Sequence, residues 1–395
     1  MVLWGRIGAF RYSLEMVLDG APSALALPQS KQKRASSYVP ALDALRLFAF
    51  LSVFFRHTGE LHSTMPLVQL FVSAGGFGVC LFFALSAYLI TDLLIQELAV
   101  SGTIDVRAFY VRRTLRIWPL YFCLLGAVIV VGIYHKTFYI PHMQIVASAF
   151  FFANWYFAKN GWPASNPIAH FWSISVEEQF YLLWPNVVKR FGISASTVAA
   201  WLCMPIGLLF TLVLAERKAD PDTTIWCNTF VQFFFFSEGA AIAFALAKFA
   251  KKKSNALTAL LWPMGVLAWL FGARCGVLDM PLTSGVQLCL GYLAVGLGCA
   301  AFLLGALSLE DRFVPKPIAY LGKISYGLYL FHAISLALVR SAVSRFELGV
   351  WITNIPFVAI SLALTIAVSH LSYQYLEKPF LKLKERFTIV KSRPI

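Results

Sequence analysis

The chain has 395 residues, of which 59% are hydrophobic and only 13% are charged, whereas an ordinary soluble domain has roughly 25% charged residues. The apolar residues occur in blocks of about twenty, the length of a membrane-spanning helix, which argues against a water-soluble fold. The net charge is +14, from 33 basic and 19 acidic residues. In a soluble protein this excess of basic residues would indicate a nucleic-acid partner. In a membrane protein its interpretation depends on where the basic residues lie along the chain.

The apolar blocks predict an all-α polytopic integral membrane protein with about ten transmembrane helices. An additional apolar run near 143–153 has only about eleven residues, a length more typical of a re-entrant or interfacial segment. The blocks of spanning length lie near residues 41–60, 75–95, 117–134, 170–188, 195–215, 225–248, 256–272, 283–307, 320–343 and 350–373.

The basic residues favour ten helices with both termini in the cytoplasm. In that arrangement the clusters at 112–116, 251–253 and 378–386 all lie inside, and the opposite loops are poor in Lys and Arg, as the positive-inside rule requires. An eleventh helix would place residues 251–253 outside. The positions of the excess basic residues therefore predict the membrane topology, and no nucleic-acid partner is expected.

One membrane domain accounts for most of the chain. We expect a cytoplasmic N-terminal tail over 1–37, a membrane domain over 38–375 and a basic cytoplasmic C-terminal tail over 376–395. Six of the seven cysteines lie in apolar stretches and no pair has CxxC spacing, so neither a disulfide framework nor a metal site is expected.

Ionisable residues in the first block are candidate functional groups, because charge is costly in lipid. Arg46 and His57 are eleven residues apart, which on a helix places them within about 20° of one face and about 16 Å apart along the axis. Both can line one channel, with Arg46 at the cytoplasmic end. Alternatively, Arg46 pairs with Asp43 and His57 only marks the end of the helix, and spacing alone leaves both possibilities open.

A second polar group lies near residues 170–181. On a helix, four residues form one stripe of the kind that faces a cavity: His170, Ser173, Glu177 and Tyr181. The adjacent Glu178 points about 100° away from Glu177, so the two carboxylates do not form a pair on one face. One of them is expected to be catalytic and the other structural.

Two further groups each have a structural and a functional interpretation. Arg113 and Arg116 stand at the cytoplasmic mouth of a block, where they act either as topology anchors or as ligands for a phosphate group. Ser325, Tyr329 and His332 share a helix face; a packed, hydrogen-bonded histidine is the simpler interpretation of His332.

Four segments in this order resemble the acyltransferase 3 family of membrane-bound acyltransferases, from about Tyr38 to about Tyr375. Two positions depart from the family pattern, with Cys80 where Asp is common and Ala87 where Gly is common. The segments are Arg46-x10-His57 after Leu42-Asp43, Val79-Cys80-Leu-Phe-Phe-Ala-Leu-Ser86-Ala87-Tyr, Arg113-x-x-Arg116-Ile-x-Pro119 and Trp172-Ser-Ile-Ser-Val-Glu177-x-Gln-Phe-Tyr.

The resemblance implies transfer of an acyl group, usually acetyl, from cytosolic acyl-CoA to a hydroxyl of a glycan, a lipid-linked saccharide or a related acceptor. Acyl-CoA is then a co-substrate, and no permanently bound cofactor is expected. The remaining partners are the acceptor and membrane lipid. The expected location is the bacterial plasma (inner) membrane.

The residues are compatible with that chemistry. We predict that Arg46, Arg113 and Arg116 bind the CoA phosphates, since guanidinium groups bind phosphate in a bidentate manner. An extended pantetheine arm, on the order of 15–20 Å long, covers the helical rise to His57. His57 is predicted to be the base or a transient acyl carrier, assisted by Glu177. Supporting or substrate-binding roles are predicted for Asp43, Ser173, Tyr181, Tyr326 and His332.

Two other classes of protein are compatible with a polytopic fold. A transporter or flippase also needs many helices and buried polar groups, but such folds often show repeat symmetry and matching broken helices, which this sequence does not convincingly show. A non-catalytic partner in a biosynthetic pathway would neither bind nor consume acyl-CoA.

Overall fold

The computed structural model describes residues 38–58, 66–135, 139–163, 167–247, 253–278, 284–343 and 350–388. Within these ranges the chain is helical, with connecting turns and without β-strands. The all-α fold predicted from the sequence is therefore confirmed for these residues. The predicted N-terminal tail over 1–37 lies outside the described residues.

The helices follow the apolar blocks closely, and short π-helical and 3₁₀ turns connect some of them. In chain order they are α1 Pro40–His57, α2 Pro66–Gly75, α3 Gly78–Ser101, α4 Val106–Tyr134, α5 His142–Ala149, α6 Ala153–Asn160, α7 Phe171–Glu216, α8 Thr229–Ala247, α9 Asn255–Arg274, α10 Gly285–Ser308, α11 Lys316–Lys323, α12 Ser325–Val343, α13 Val350–Ser372 and α14 Lys378–Lys384.

Seven helical segments in the described part of the chain are long and apolar enough to cross a membrane, or eight if the bent pair α11–α12 forms one span. The longest, α7, has 46 residues and a break at Gly192, where φ is 73° and ψ is −179°. Glycine is the residue that adopts this conformation without strain. The break divides α7 into two successive helical segments.

The additional apolar run near 143–153 forms parts of two short helices. α5 and α6 have eight residues each, too few to cross a bilayer, in agreement with the length argument. Buried hydrogen bonds hold this pair in place: Tyr121 donates to the Ser148 carbonyl at 2.8 Å, and Asn154 donates to the Thr229 hydroxyl at 2.9 Å. Gln179 on α7 donates to the Asn154 side chain at 3.0 Å, so this motif glutamine has a structural role.

Close packing at glycines fixes the helices that carry the polar residues. A Cβ atom on Gly239 of α8 would lie 1.9 Å from the Ala84 carbonyl oxygen of α3. One on Gly322 of α11 would lie 1.8 Å from the Asp43 carbonyl oxygen of α1. Small residues allow such approaches between membrane helices, and these two set the positions of α3 and α1 in the bundle.

The helical chain continues beyond α13. A π-helical turn, Tyr373–Glu377, leads into α14, and a 3₁₀ turn ends at Phe387. Glu377 and Leu381 are buried in this segment. The domain boundary predicted at residue 376 falls inside this continuous stretch.

Candidate active site

Helix α1 carries an ion pair near its start and a histidine at its end. Asp43 is buried and accepts hydrogen bonds from Arg46 Nη1 at 2.5 Å and from the Tyr38 hydroxyl at 2.7 Å. The i, i+3 pair that the sequence allowed is therefore present. His57 lies about 16 Å further along the helix axis, so α1 defines the two ends of the site.

Three arginines cluster at the Asp43 end. Arg46 lies within electrostatic range of Arg116 and Tyr181, and Arg113 within range of Arg116 and Glu177. The guanidinium of Arg113 lies over the Tyr181 ring, 5.3 Å from its centroid. The structure thus brings together the three arginines that the sequence suggested as CoA ligands.

Glu177 belongs to this arginine cluster. Its Oε1 atom accepts hydrogen bonds from Ser86 of α3 at 2.6 Å and from the Tyr181 hydroxyl, and the two hydroxyl groups are themselves 2.5 Å apart. Glu178 instead accepts a hydrogen bond from Trp118 of α4 at 3.3 Å. The two adjacent carboxylates therefore face different helices, as their angular separation predicts.

Arg112 has different surroundings from its neighbour Arg113. It pairs with the buried carboxylate of Glu97 at 2.9 Å and donates to the Phe387 carbonyl at 2.8 Å. Glu97 also accepts a hydrogen bond from the Asp105 backbone at 2.8 Å. These contacts join α3, α4 and the C-terminal segment, so Arg112 acts as a structural clamp.

Three histidines meet at the other end of α1. The His57 and His332 ring centroids are 5.1 Å apart, and the His170 and His332 centroids are 5.2 Å apart. His170 and His332 are 5% and 1% exposed, whereas His57 is exposed. His57 is thus the member of this histidine cluster that a ligand can reach.

Backbone contacts orient two of these rings. The Nδ1 atoms of His57 and His332 lie 2.9 Å and 2.5 Å from the carbonyl oxygens of Val53 and Tyr329. A carbonyl oxygen only accepts hydrogen bonds, so each Nδ1 carries the hydrogen and each neutral ring presents a lone pair at Nε2. This assignment makes His57 Nε2 the basic atom of the exposed ring.

The polar stripe of α7 connects the two ends. Between the arginine and histidine clusters, the Ser173 hydroxyl lies 2.6 Å from the Tyr329 hydroxyl and donates to the His170 carbonyl at 2.9 Å. Tyr326 donates to the Ile117 carbonyl of α4 at 2.8 Å, which ties α12 to the basic helix start. The predicted stripe is therefore continuous with both clusters.

The sequence predicted that Glu177 assists His57, and the structure gives Glu177 other hydrogen-bond partners. Glu177 lies about 10 Å along α7 from His170, and its hydrogen-bond partners are Ser86 and Tyr181. No hydrogen bond joins Glu177 to His57 in the described part of the chain, where the Nδ1 partner of His57 is the Val53 carbonyl. Any assistance from Glu177 to catalysis is indirect in this arrangement.

Four contributors to the site were not singled out as site residues from the sequence. Ser86 and Tyr329 lie within recognisable motifs, and His170 lies on the α7 stripe, so spacing offered a partial signal for each. Arg340 of α12 donates to the Thr58 carbonyl at 2.7 Å, directly after His57. No local pattern indicated this contact, because it depends on how α12 packs against α1.

Comparison with known proteins identifies the class to which this fold belongs. Residues 39–373 match the profile of the acyltransferase 3 family, described as an acyltransferase domain. The chain belongs to this family.

The curated relatives that are similar to this chain include two O-acetyltransferases. This chain is 27% identical over 367 residues to the peptidoglycan O-acetyltransferase OatA of Listeria monocytogenes, and the alignment covers 87% of this chain and 56% of that protein. It is 29% identical over 364 residues to the O-acetyltransferase OatA of Staphylococcus aureus, and that alignment covers 87% of this chain and 57% of the relative. The chain therefore spans little more than half the length of these relatives. No solved structure matches it significantly.

Proposed function

We propose that this chain is a membrane O-acyltransferase that moves an acetyl group from acetyl-CoA to a hydroxyl of a glycan or lipid-linked saccharide. The observation that carries the proposal is the position of an arginine cluster and an exposed histidine at opposite ends of α1. The relatives named as O-acetyltransferases support the acetyl group, and the one named for peptidoglycan supports a glycan acceptor. Family membership gives no support to the transporter alternative.

The proposed topology has ten spans with both termini in the cytoplasm of a bacterial cell, in the plasma membrane. The break at Gly192 supports two spans within α7. α1 has 18 residues and carries three charged side chains. Asp43 and Arg46 pair with each other, and Arg56 lies in the last turn of the helix, so α1 is acceptable as a span. The ten are α1, α3, α4, the two segments of α7, α8, α9, α10, α12 and α13.

In this topology the arginine cluster faces the cytoplasm, where acyl-CoA is available. We assign phosphate binding to Arg46, Arg113 and Arg116, because guanidinium groups form strong charge-assisted hydrogen bonds to phosphate. The Tyr181 ring packs against the Arg113 guanidinium, and Glu177 accepts a hydrogen bond from the Tyr181 hydroxyl. Glu177 is therefore a positioning residue for the donor site in this proposal.

His57 performs the chemical step. Its Nε2 atom removes the proton from the acceptor hydroxyl while the oxygen attacks the thioester carbonyl carbon. The carbon–sulfur bond breaks, and the departing CoA thiolate takes up a proton to complete the balance. If His57 instead carries the acyl group, the same Nε2 atom attacks the thioester first; an acetyl adduct on the intact protein would distinguish this route.

Mass spectrometry of surface glycans and lipids from cells with and without the protein tests the proposal. One acceptor should gain the mass of one acetyl group only in cells that carry the wild-type chain. Cells with His57→Ala at equal membrane abundance should lack the acetylated acceptor. Identical glycan and lipid spectra in all three strains would refute the proposed activity.

A further inference from the structure

His332 and His170 are buried imidazoles that the transfer step above does not use. They come from α12 and from the residue preceding α7, and packing alone brings them to His57 at the end of α1. His332 lies between the other two, with ring centroids 5.1 Å from His57 and 5.2 Å from His170. An apolar side chain would fill either position without leaving a polar ring atom buried.

His332 has a buried ring nitrogen with an unused lone pair. Its Nδ1 hydrogen is committed to the Tyr329 carbonyl at 2.5 Å, so Nε2 is the acceptor atom of the neutral ring. This Nε2 atom is buried and has no hydrogen-bond partner among the described residues. An unpartnered buried polar atom is costly, which makes a partner that arises during the reaction a physical explanation for it.

The surroundings contain few other groups that could receive a proton. Among the described residues, the charged and titratable groups around His57 and His332 are Arg56 of α1, Arg340 of α12, His170 and Tyr329. No carboxylate forms an ion pair or hydrogen bond with the three histidines in the described ranges. Arg56 adds a fixed positive charge near His57, so a proton taken up there has no anionic partner.

We propose that His332 accepts a hydrogen bond through Nε2 from the protonated Nε2 of His57, and so positions and stabilises His57 after it has removed the acceptor's proton. The inference rests on the proposed function, specifically on His57 as the base. The proton leaves the acceptor oxygen, is shared between the two Nε2 atoms and is released to the CoA thiolate, so His332 ends each cycle unchanged. His170 packs against His332 and keeps its ring in place.

A set of His332 variants separates this role from packing. His332→Asn keeps a donor for the Tyr329 carbonyl and removes Nε2, whereas His332→Gln keeps a polar group near the Nε2 position. His370→Asn is the matched control, because His370 is an exposed histidine on α13, and its Nδ1 atom lies 2.6 Å from the Tyr320 hydroxyl oxygen. Each variant is reconstituted in liposomes, and acetyl transfer from acetyl-CoA to surface glycan purified from cells that lack the protein is measured across pH.

The expected result for His332→Asn is a loss of kcat of about 10- to 100-fold, the range for one hydrogen bond to a charged group, with the KM for acetyl-CoA unchanged. The acidic limb of its pH profile should move to lower pH than in the wild type, because the protonated form of His57 loses a stabilising hydrogen bond. His332→Gln should restore part of kcat, and His370→Asn should match the wild type.

Three outcomes would overturn the inference. The first is a wild-type kcat in His332→Asn. The second is a kcat that falls by the same factor at every pH. The third is a fall in kcat that occurs only in protein with a lowered melting temperature. A wild-type protein that consumes no acetyl-CoA would instead refute the proposed function, so the two failures are distinguishable.

Discussion

The guanidinium of Arg113 lies over the ring of Tyr181, 5.3 Å from its centroid, while the Tyr181 hydroxyl donates to Glu177. A cation over an aromatic ring gains about 0.5–2 kcal/mol, more when it is desolvated. This contact fixes an arginine of the proposed donor site without neutralising its charge. Glu177 thus acts on the donor site through Tyr181.

Removing the Tyr181 ring should weaken acyl-CoA binding. Tyr181→Leu is expected to raise the KM for acetyl-CoA by about 2- to 30-fold, the range that corresponds to the loss of a cation–π contact. Tyr181→Phe keeps the ring and should have a smaller effect. Initial-rate kinetics in proteoliposomes measure both. Equal KM values for Tyr181→Leu and the wild type would show that the ring does not support Arg113.

The adjacent arginines 112 and 113 should behave differently when each is replaced by alanine. Arg113→Ala is expected to raise the KM for acetyl-CoA by about tenfold or more, because a charged hydrogen bond to phosphate contributes about 1.5–3 kcal/mol. Arg112→Ala leaves the buried Glu97 carboxylate without its ion-pair partner, which costs about 3–5 kcal/mol of stability. Thermal unfolding in detergent, together with KM, separates the effects. An unchanged melting temperature for Arg112→Ala would contradict its role as a clamp.

The glycine contact between α11 and α1 should be required for stability. In Gly322→Ala the new Cβ would lie 1.8 Å from the Asp43 carbonyl oxygen, so the helices must separate at a cost of about 1–3 kcal/mol. Gly126→Ala on α4 is the control, because a Cβ there meets nothing within 4 Å. Thermal unfolding should show a lower melting temperature for Gly322→Ala alone; equal values for the two variants would argue against the close approach.

The hydropathy of the sequence located the long helices, but no predicted block covered the short helices α2, Pro66–Gly75, and α14, Lys378–Lys384. The block near 283–307 corresponds to Gly285–Ser308, and the block near 225–248 to Thr229–Ala247. A twenty-residue apolar run has one stable backbone solution in lipid, which explains this agreement. The break within α7 also fell between two predicted blocks, at Gly192.

The contacts that site residues make with other helices were harder to predict from the sequence. Helical periodicity grouped Glu177 with Tyr181, since both lie on one helix face. It gave no indication that Ser86 would reach Glu177 or that His332 would reach His57. These contacts depend on which membrane helices are neighbours, and van der Waals packing at small residues determines that. Glu177 was consequently associated with the histidine instead of the arginine cluster.

The central claim is that His57 is the reactive group of an acetyl-CoA-dependent transferase. The most direct measurement is the transfer of radiolabelled acetyl from acetyl-CoA to acceptor in liposomes that contain equal amounts of folded wild-type or His57→Ala protein. The wild type should label the acceptor, and His57→Ala should be slower by about 10²- to 10⁴-fold, the range for loss of a general base. Labelling by His57→Ala at the wild-type rate would contradict the account.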